Sequence, residues 1–123
     1  MLLRASGFCL VLVFGLMTGA AAADSEFLTA QEIQADVIGG TITGTTAENA
    51  TWSETYHADG VFSGAGVDGG VLTGRWEIQD AFLCVIYDGD PVASCWAVQL
   101  DGDTVRYVSE HGSDGGHGTL GRE

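Results

Sequence analysis

From Gly40 onward the chain is punctuated by turn signals too closely spaced to leave room for anything longer than a short strand. Asp59-Gly60, Asp68-Gly69-Gly70, Asp88-Gly89-Asp90-Pro91 and Asp101-Gly102-Asp103 each join a residue that hydrogen-bonds its own turn to one that tolerates unusual backbone angles. Between them the apolar period is two, the period of a strand. Parallel strands need a crossover of about a dozen residues or more, and these gaps hold none, so the strands must pair antiparallel as a meander. Candidate strands are Thr41–Thr46, Thr51–His57, Gly60–Ser63, Val71–Ile78, Ala81–Tyr87, Val92–Leu100, Thr104–Ser109 and a weaker one near Gly118–Leu120. The fold class that follows is mainly β. A short N-terminal helix precedes an antiparallel meander of about seven or eight strands, closed as a small barrel or stacked as a sandwich.

Val71–Ile78 alternates cleanly, with Leu72, Gly74, Trp76 and Ile78 on one face and Val71, Thr73, Arg75 and Glu77 on the other. The next two strands are apolar on both faces. If Cys84 pairs with Cys95, then Phe82, Cys84 and Ile86 face Ala93, Cys95 and Ala97. The opposite face carries Leu83, Val85 and Tyr87 against Val92, Trp96 and Val98. This hairpin is expected to be central and covered on both sides, with the N-terminal helix as the candidate cover. Pro91 cannot donate the bond that closes a two-residue loop, so a four-residue loop closed by Tyr87 and Val92 is expected. The cysteines then form a non-hydrogen-bonded pair with Cα atoms ~4.5 Å apart, within reach of a disulfide. The ten residues between them fit neither a C-x-x-C redox motif nor ordinary zinc-ligand spacing.

Leu28 to Gly39 reads as the helix. Thr29 and Glu32 form a capping box, and Leu28 and Ile33 the matching hydrophobic staple. Leu28, Ile33 and Val37 lie near one stripe, and Gly39-Gly40 supplies the stop.

Residues 1–23 have the layout of an export signal: Arg4 in a short first region, an apolar run from Phe8 to Met17, then Ala21-Ala22-Ala23 before Asp24. Cleavage is expected after Ala23, leaving residues 24–123 as a single small acidic β-domain, periplasmic or secreted, where two cysteines pair as a disulfide. The whole chain carries 17 acidic residues against 4 basic ones, a formal charge of −13, and has no lysine. Loss of Arg4 leaves three arginines against the same 17 carboxylates, a charge of −14. Such a surface repels phosphate backbones and anionic headgroups, so neither nucleic acid nor stable membrane insertion after signal cleavage is expected.

The pattern Leu28-Thr29…Glu32-Ile33, Gly74-Arg75-Trp76, Cys84 and Cys95 resembles a family of small exported proteobacterial proteins of unknown function. The resemblance spans most of the expected mature chain, implies a compact periplasmic β-domain, and carries over no catalytic residue. Gly74-Arg75-Trp76 is also similar to the G-x-W of lipocalins, although there the motif lies on the first strand.

Without lysine there is no Schiff-base catalysis and no P-loop, and no G-x-S-x-G, H-E-x-x-H or G-x-G-x-x-G fingerprint occurs. No catalytic residue and no cofactor is therefore assigned. Glu110 to His117 holds two histidines and two carboxylates, and His111, Asp114 and His117 are candidate metal ligands. The glycines between them favour a solvated, mobile loop. Trp52, Glu54 and Tyr56 share a strand face and are candidate ligand-binding residues, although core packing with Glu54 near a sheet edge is the plainer use. Arg75 and Arg106 are candidate anion holders or surface ion-pair partners. The expected function is a non-enzymatic binding or interaction module of the cell envelope, taking a small ligand or a basic envelope protein. One alternative is a small hydrolase using His57, His111 or His117 with carboxylates. Another is an inhibitor of a basic enzyme such as a lysozyme.

Overall fold

The computed structural model describes residues 26–122, so the expected export signal and the cleavage before Asp24 lie outside the described residues. Helix α1 (Ala30–Asp36) starts where the capping box places it. The Thr29 hydroxyl accepts from the Glu32 amide at 3.1 Å, and the Glu32 carboxylate accepts from the Thr29 amide at 2.9 Å. The helix is shorter than the expected Leu28–Gly39. Val37 caps it, and Gly39, at φ +94°, turns the chain so that its amide donates to the Tyr56 carbonyl.

Eight strands follow: β1 (Gly40–Thr45), β2 (Thr51–Tyr56), β3 (Val61–Ala65), β4 (Val71–Gln79), β5 (Phe82–Tyr87), β6 (Ser94–Asp101), β7 (Thr104–Ser109) and β8 (Asp114–Arg122). Each pairs antiparallel with the next, and β8 returns to β1 through the pairs Gly40↔Arg122 to Thr43↔Thr119. The meander is thus a closed barrel and not a sandwich. Closure also accounts for the length of β8, of which the sequence pattern suggests only Gly118–Leu120. Hydrogen-bonded to β7 on one side and β1 on the other, it holds its glycine-rich sequence extended by backbone bonds alone. Asp114 to His117 therefore belongs to a strand and not to a mobile loop.

The barrel ends are unlike. Ile33 of α1, its cap Val37 and Ile38 after it are buried in the same cluster as Ile42, Tyr56, Phe62, Leu83, Val98, Val105 and Leu120. The Leu28 amide donates to the Val98 carbonyl at 2.8 Å, beyond the residues where β5 and β6 pair. The helix is thereby moored across the end where β1 begins and β2 ends, and it plugs that end. It does not cover the outer face of the β5–β6 hairpin, where Phe82, Ile86, Cys95 and Ala97 stay half-exposed. In a closed barrel no strand is central, so one face of this hairpin meets the core and the other the surroundings.

Cys84 and Cys95 are directly opposite one another and joined by a disulfide, with Cα atoms 4.0 Å apart. The hairpin loop is wider than the sequence suggests. Pairing ends at Val85↔Ser94, the Asp90 amide turns back onto the Tyr87 carbonyl, and Val92 lies in the loop, with its amide on the Asp90 carboxylate. Tyr87 is committed instead to β4, opposite Gly74.

Candidate functional site

Eight strands enclose a space just wide enough to be filled by side chains or to hold one small ligand. Here the plugged end is filled and the other end is not. A cavity of about 270 Å³ opens there, lined by Trp52, Glu54 and Tyr56 of β2, Val85 and Tyr87 of β5, Trp96 of β6, Tyr107 of β7 and the glycines 115 and 116 of β8. Alternation along each strand aims these side chains inward. A wider depression of about 570 Å³ lies on the outer wall near Gln99, Thr104, Arg106 and His117. Glu26 and Asp101 also line it, and Glu26 Oε1 is buried there without a hydrogen-bond partner among the described residues, but no aromatic ring walls it and its Arg106 and His117 are exposed, so the interior cavity is the better candidate.

At its floor the Glu54 carboxylate receives two phenols on one oxygen. Tyr56 donates to Oε1 at 2.9 Å and Tyr107 at 3.0 Å, with the two hydroxyls 3.4 Å apart. Oε2 accepts no hydrogen bond from the described residues. Loss of solvent raises the carboxyl's pKa above the usual glutamate value, and the two tyrosine bonds oppose that rise. The hydroxyls of Tyr56 and Tyr107 are pushed well up, first by burial and then by neighbouring charge, so both remain donors. Tyr87 is raised as well, by burial and then by the nearby Glu54 charge. Among the described residues no cationic side chain lines the cavity. The one ion pair among the described residues, Arg106 with Asp114 at 3.6 Å, stands exposed on the outer wall.

Two glycines seat the tryptophans. A Cβ at Gly44 would run into the Trp52 indole, and one at Gly115 into the Trp96 ring. Each ring packs over bare backbone where a side chain would displace it. Tyr107 lies between them, its ring centroid 6.5 Å from Trp52 and 6.4 Å from Trp96, and the latter contact is edge-on.

Of the residues singled out from sequence, Trp52, Glu54 and Tyr56 come together in this cavity. Glu54 is at no sheet edge, because closure leaves none. Arg75 and Arg106 point outward and are exposed, so neither reaches the cavity. Arg75 has no ion-pair partner among the described residues. His111 lies in the exposed β7–β8 turn, and His117 is exposed on β8 opposite Arg106. Among the described residues no three His, Cys, Asp or Glu side chains gather as a metal site, so His111, Asp114 and His117 do not form one there. His57 Nε2 sits 2.8 Å from the Ser63 hydroxyl, beside the turn at the plugged end. No histidine is hydrogen-bonded to a carboxylate among the described residues. Sequence reading missed Val85, Tyr87, Trp96 and Tyr107 as site residues. Alternation already put the first three on one hairpin face. The missing fact was closure, which turns that face toward β2.

In comparison with known proteins, the chain matches no protein-family model and no curated protein sequence.

Proposed function

We propose that this is a non-enzymatic binding protein of the cell envelope whose site is the open mouth of the barrel. The observation that carries the reading is the unfilled interior cavity, walled by aromatic rings around a single carboxylate. Ligand sites are concave and largely apolar, with a few placed polar groups, and commonly fall in barrel mouths. At about 270 Å³ the cavity falls just below the usual range of roughly 300–1,000 Å³, so the ligand is small. The disulfide and the signal-like first residues support an oxidising compartment. A hydrolase would need a histidine within reach of a carboxylate in a pocket, and the cavity lining includes no histidine.

A second reading rests on the rim. The loops of the open end carry Glu48, Asp68, Asp88, Asp90 and Glu110. Val67, Val71 and Val92 are exposed among them. An acidic rim with apolar patches suits a basic protein partner, including an enzyme held by inhibition. Salt separates the two readings. Binding of neutral indole, followed by calorimetry, is expected to be flat or slightly stronger as salt rises. Capture of a basic protein such as a lysozyme would weaken steeply. Failure of small aromatic probes to bind, together with salt-sensitive capture of the basic protein, would replace the first reading by the second.

A further inference from the structure

We propose that the cavity recognises a small organic cation, a protonated amine or quaternary ammonium, held between the free oxygen of Glu54 and the faces of Trp52, Trp96, Tyr87 and Tyr107. The inference rests on the reading of the mouth as a ligand site and names the chemical class of the ligand.

Glu54 is an inward carboxylate with no cation beside it among the described residues. One of its oxygens is fixed by two tyrosine donors, and this orients the group and leaves Oε2 without a hydrogen-bond donor among the described residues. Glu54 is partly buried and its Oε2 opens onto the cavity, and a carboxylate that has lost much of its solvent but keeps an open lone-pair side is best satisfied by something positive or hydrogen-bond-donating arriving there. The surrounding walls are aromatic, and ring faces attract cations, most strongly when water is excluded. The rim reinforces this. Glu48, Asp68, Asp88, Asp90 and Glu110 ring the entrance, on a chain with net charge −13, and a cleft of one sign focuses its field on the opening.

Competing ligand classes fit less well. A divalent metal ion takes about six or more oxygen ligands, or several imidazole and carboxylate groups, and this cavity offers one carboxylate. An anion would face Glu54 and the rim together. A neutral apolar molecule would shut Oε2 away from water without a partner. A sugar needs donors and acceptors for several hydroxyls, yet both tyrosine hydroxyls in the cavity floor are already committed to Glu54.

The test compares choline with 3,3-dimethylbutan-1-ol, the neutral molecule of the same shape, by calorimetry on the oxidised protein. Choline is expected to bind roughly tenfold or more tightly than the alcohol. E54Q, which keeps an acceptor for both tyrosines, is expected to bring the two affinities together. The choline–alcohol comparison on the parent protein needs no variant and stands even if E54Q folds poorly. Equal affinities for the two probes would overturn the cation inference and leave the mouth as a binding site. Binding of indole without choline would do the same. If choline, the alcohol and indole all fail to bind, the small-ligand reading of the mouth falls with the inference.

Discussion

The two ends of the barrel are made from the same eight strands, yet one is a core and the other a cup. At the plugged end the strands contribute Ile42, Phe62, Leu83, Val98, Val105 and Leu120, and α1 and its cap add Ile33 and Val37 to fill what remains. Along the same strands toward the open end the inward positions are Trp52, Glu54, Tyr87, Trp96 and Tyr107, with glycines opposite two of the rings. No helix among the described residues covers them. The lesson is that an eight-stranded barrel does not by itself decide between packing and binding. Occupancy at each end does, and here a single short helix supplies it to one end only.

The sharpest way to break the contrast is to truncate on each side of it. Ile33→Ala, at a site with no solvent exposure, is expected to cost roughly 3 to 4 kcal/mol in denaturant unfolding. Trp52→Leu removes a larger side chain from the partly exposed mouth and should cost about 1 to 2 kcal/mol. Equal losses would mean that the mouth is as tightly packed as the plug.

The disulfide joins the barrel's briefest ladder, since β5 and β6 pair only from Leu83↔Trp96 to Val85↔Ser94. Closing an 11-residue separation is worth about 3 kcal/mol in the chain-entropy model. Cys84→Ser, Cys95→Ser and the double variant should all lose about that amount, because the two residues act as one bond. A double variant that loses twice as much as either single one would show that each cysteine contributes separately.

A smaller effect belongs to the helix cap. Thr29→Ala removes the side-chain half of the capping box and should cost about 1 kcal/mol. Because the helix is the plug, the loss should appear in global unfolding and not only as fraying of α1. Thermal melts by circular dichroism, read at the far-ultraviolet and tryptophan signals together, distinguish the two.

The smallest expected effect is the titration of Glu54, since its causes oppose one another. Burial holds the folded carboxyl above its ordinary value of 4.5, while the bonds from Tyr56 and Tyr107 pull it back. Tyr87, raised in part by the Glu54 charge, is the third titratable group on the cavity wall. As pH rises, the unfolded chain gives up this proton first. The stability Glu54 contributes is therefore full below the ordinary glutamate range and lost as pH climbs through the folded value. E54Q has no such titration. Its stability relative to the parent should rise across that window and then level off, with the other carboxylates cancelling in the difference. A flat difference from pH 3 to pH 8 would show that the tyrosine bonds cancel burial, and a falling one that they outweigh it.

Much of the plugged end is legible in the sequence. The capping box, the Ile33–Val37 stripe and the strand alternation are local patterns, and each appears where the pattern places it. The Cys84–Cys95 register is legible for the same reason, because a hairpin is a local structure. The cup is not. Trp52, Glu54 and Tyr56 lie on one strand, Trp96 and Tyr107 on two others, and only the β8–β1 pairing makes their faces converge. That closure runs through a strand whose glycines give no alternation to read, so the sequence suggests a mobile loop near His111 and a sandwich as readily as a barrel. Glu54 looks like an edge carboxylate for the same reason.

The chain's three tryptophans allow one direct test of this division. Trp52 and Trp96 line the cup, whereas the Trp76 indole donates to the His57 carbonyl at 2.7 Å, beside the turn at the plugged end. Each indole N–H gives its own proton–nitrogen resonance, assignable by Trp→Phe replacement. On titration with choline to saturation, the Trp52 and Trp96 resonances are expected to move together along one binding curve while Trp76 stays in place. Resonances that all stay still at saturating choline, or a shift at Trp76 alone, would contradict the assignment of the open mouth as the site.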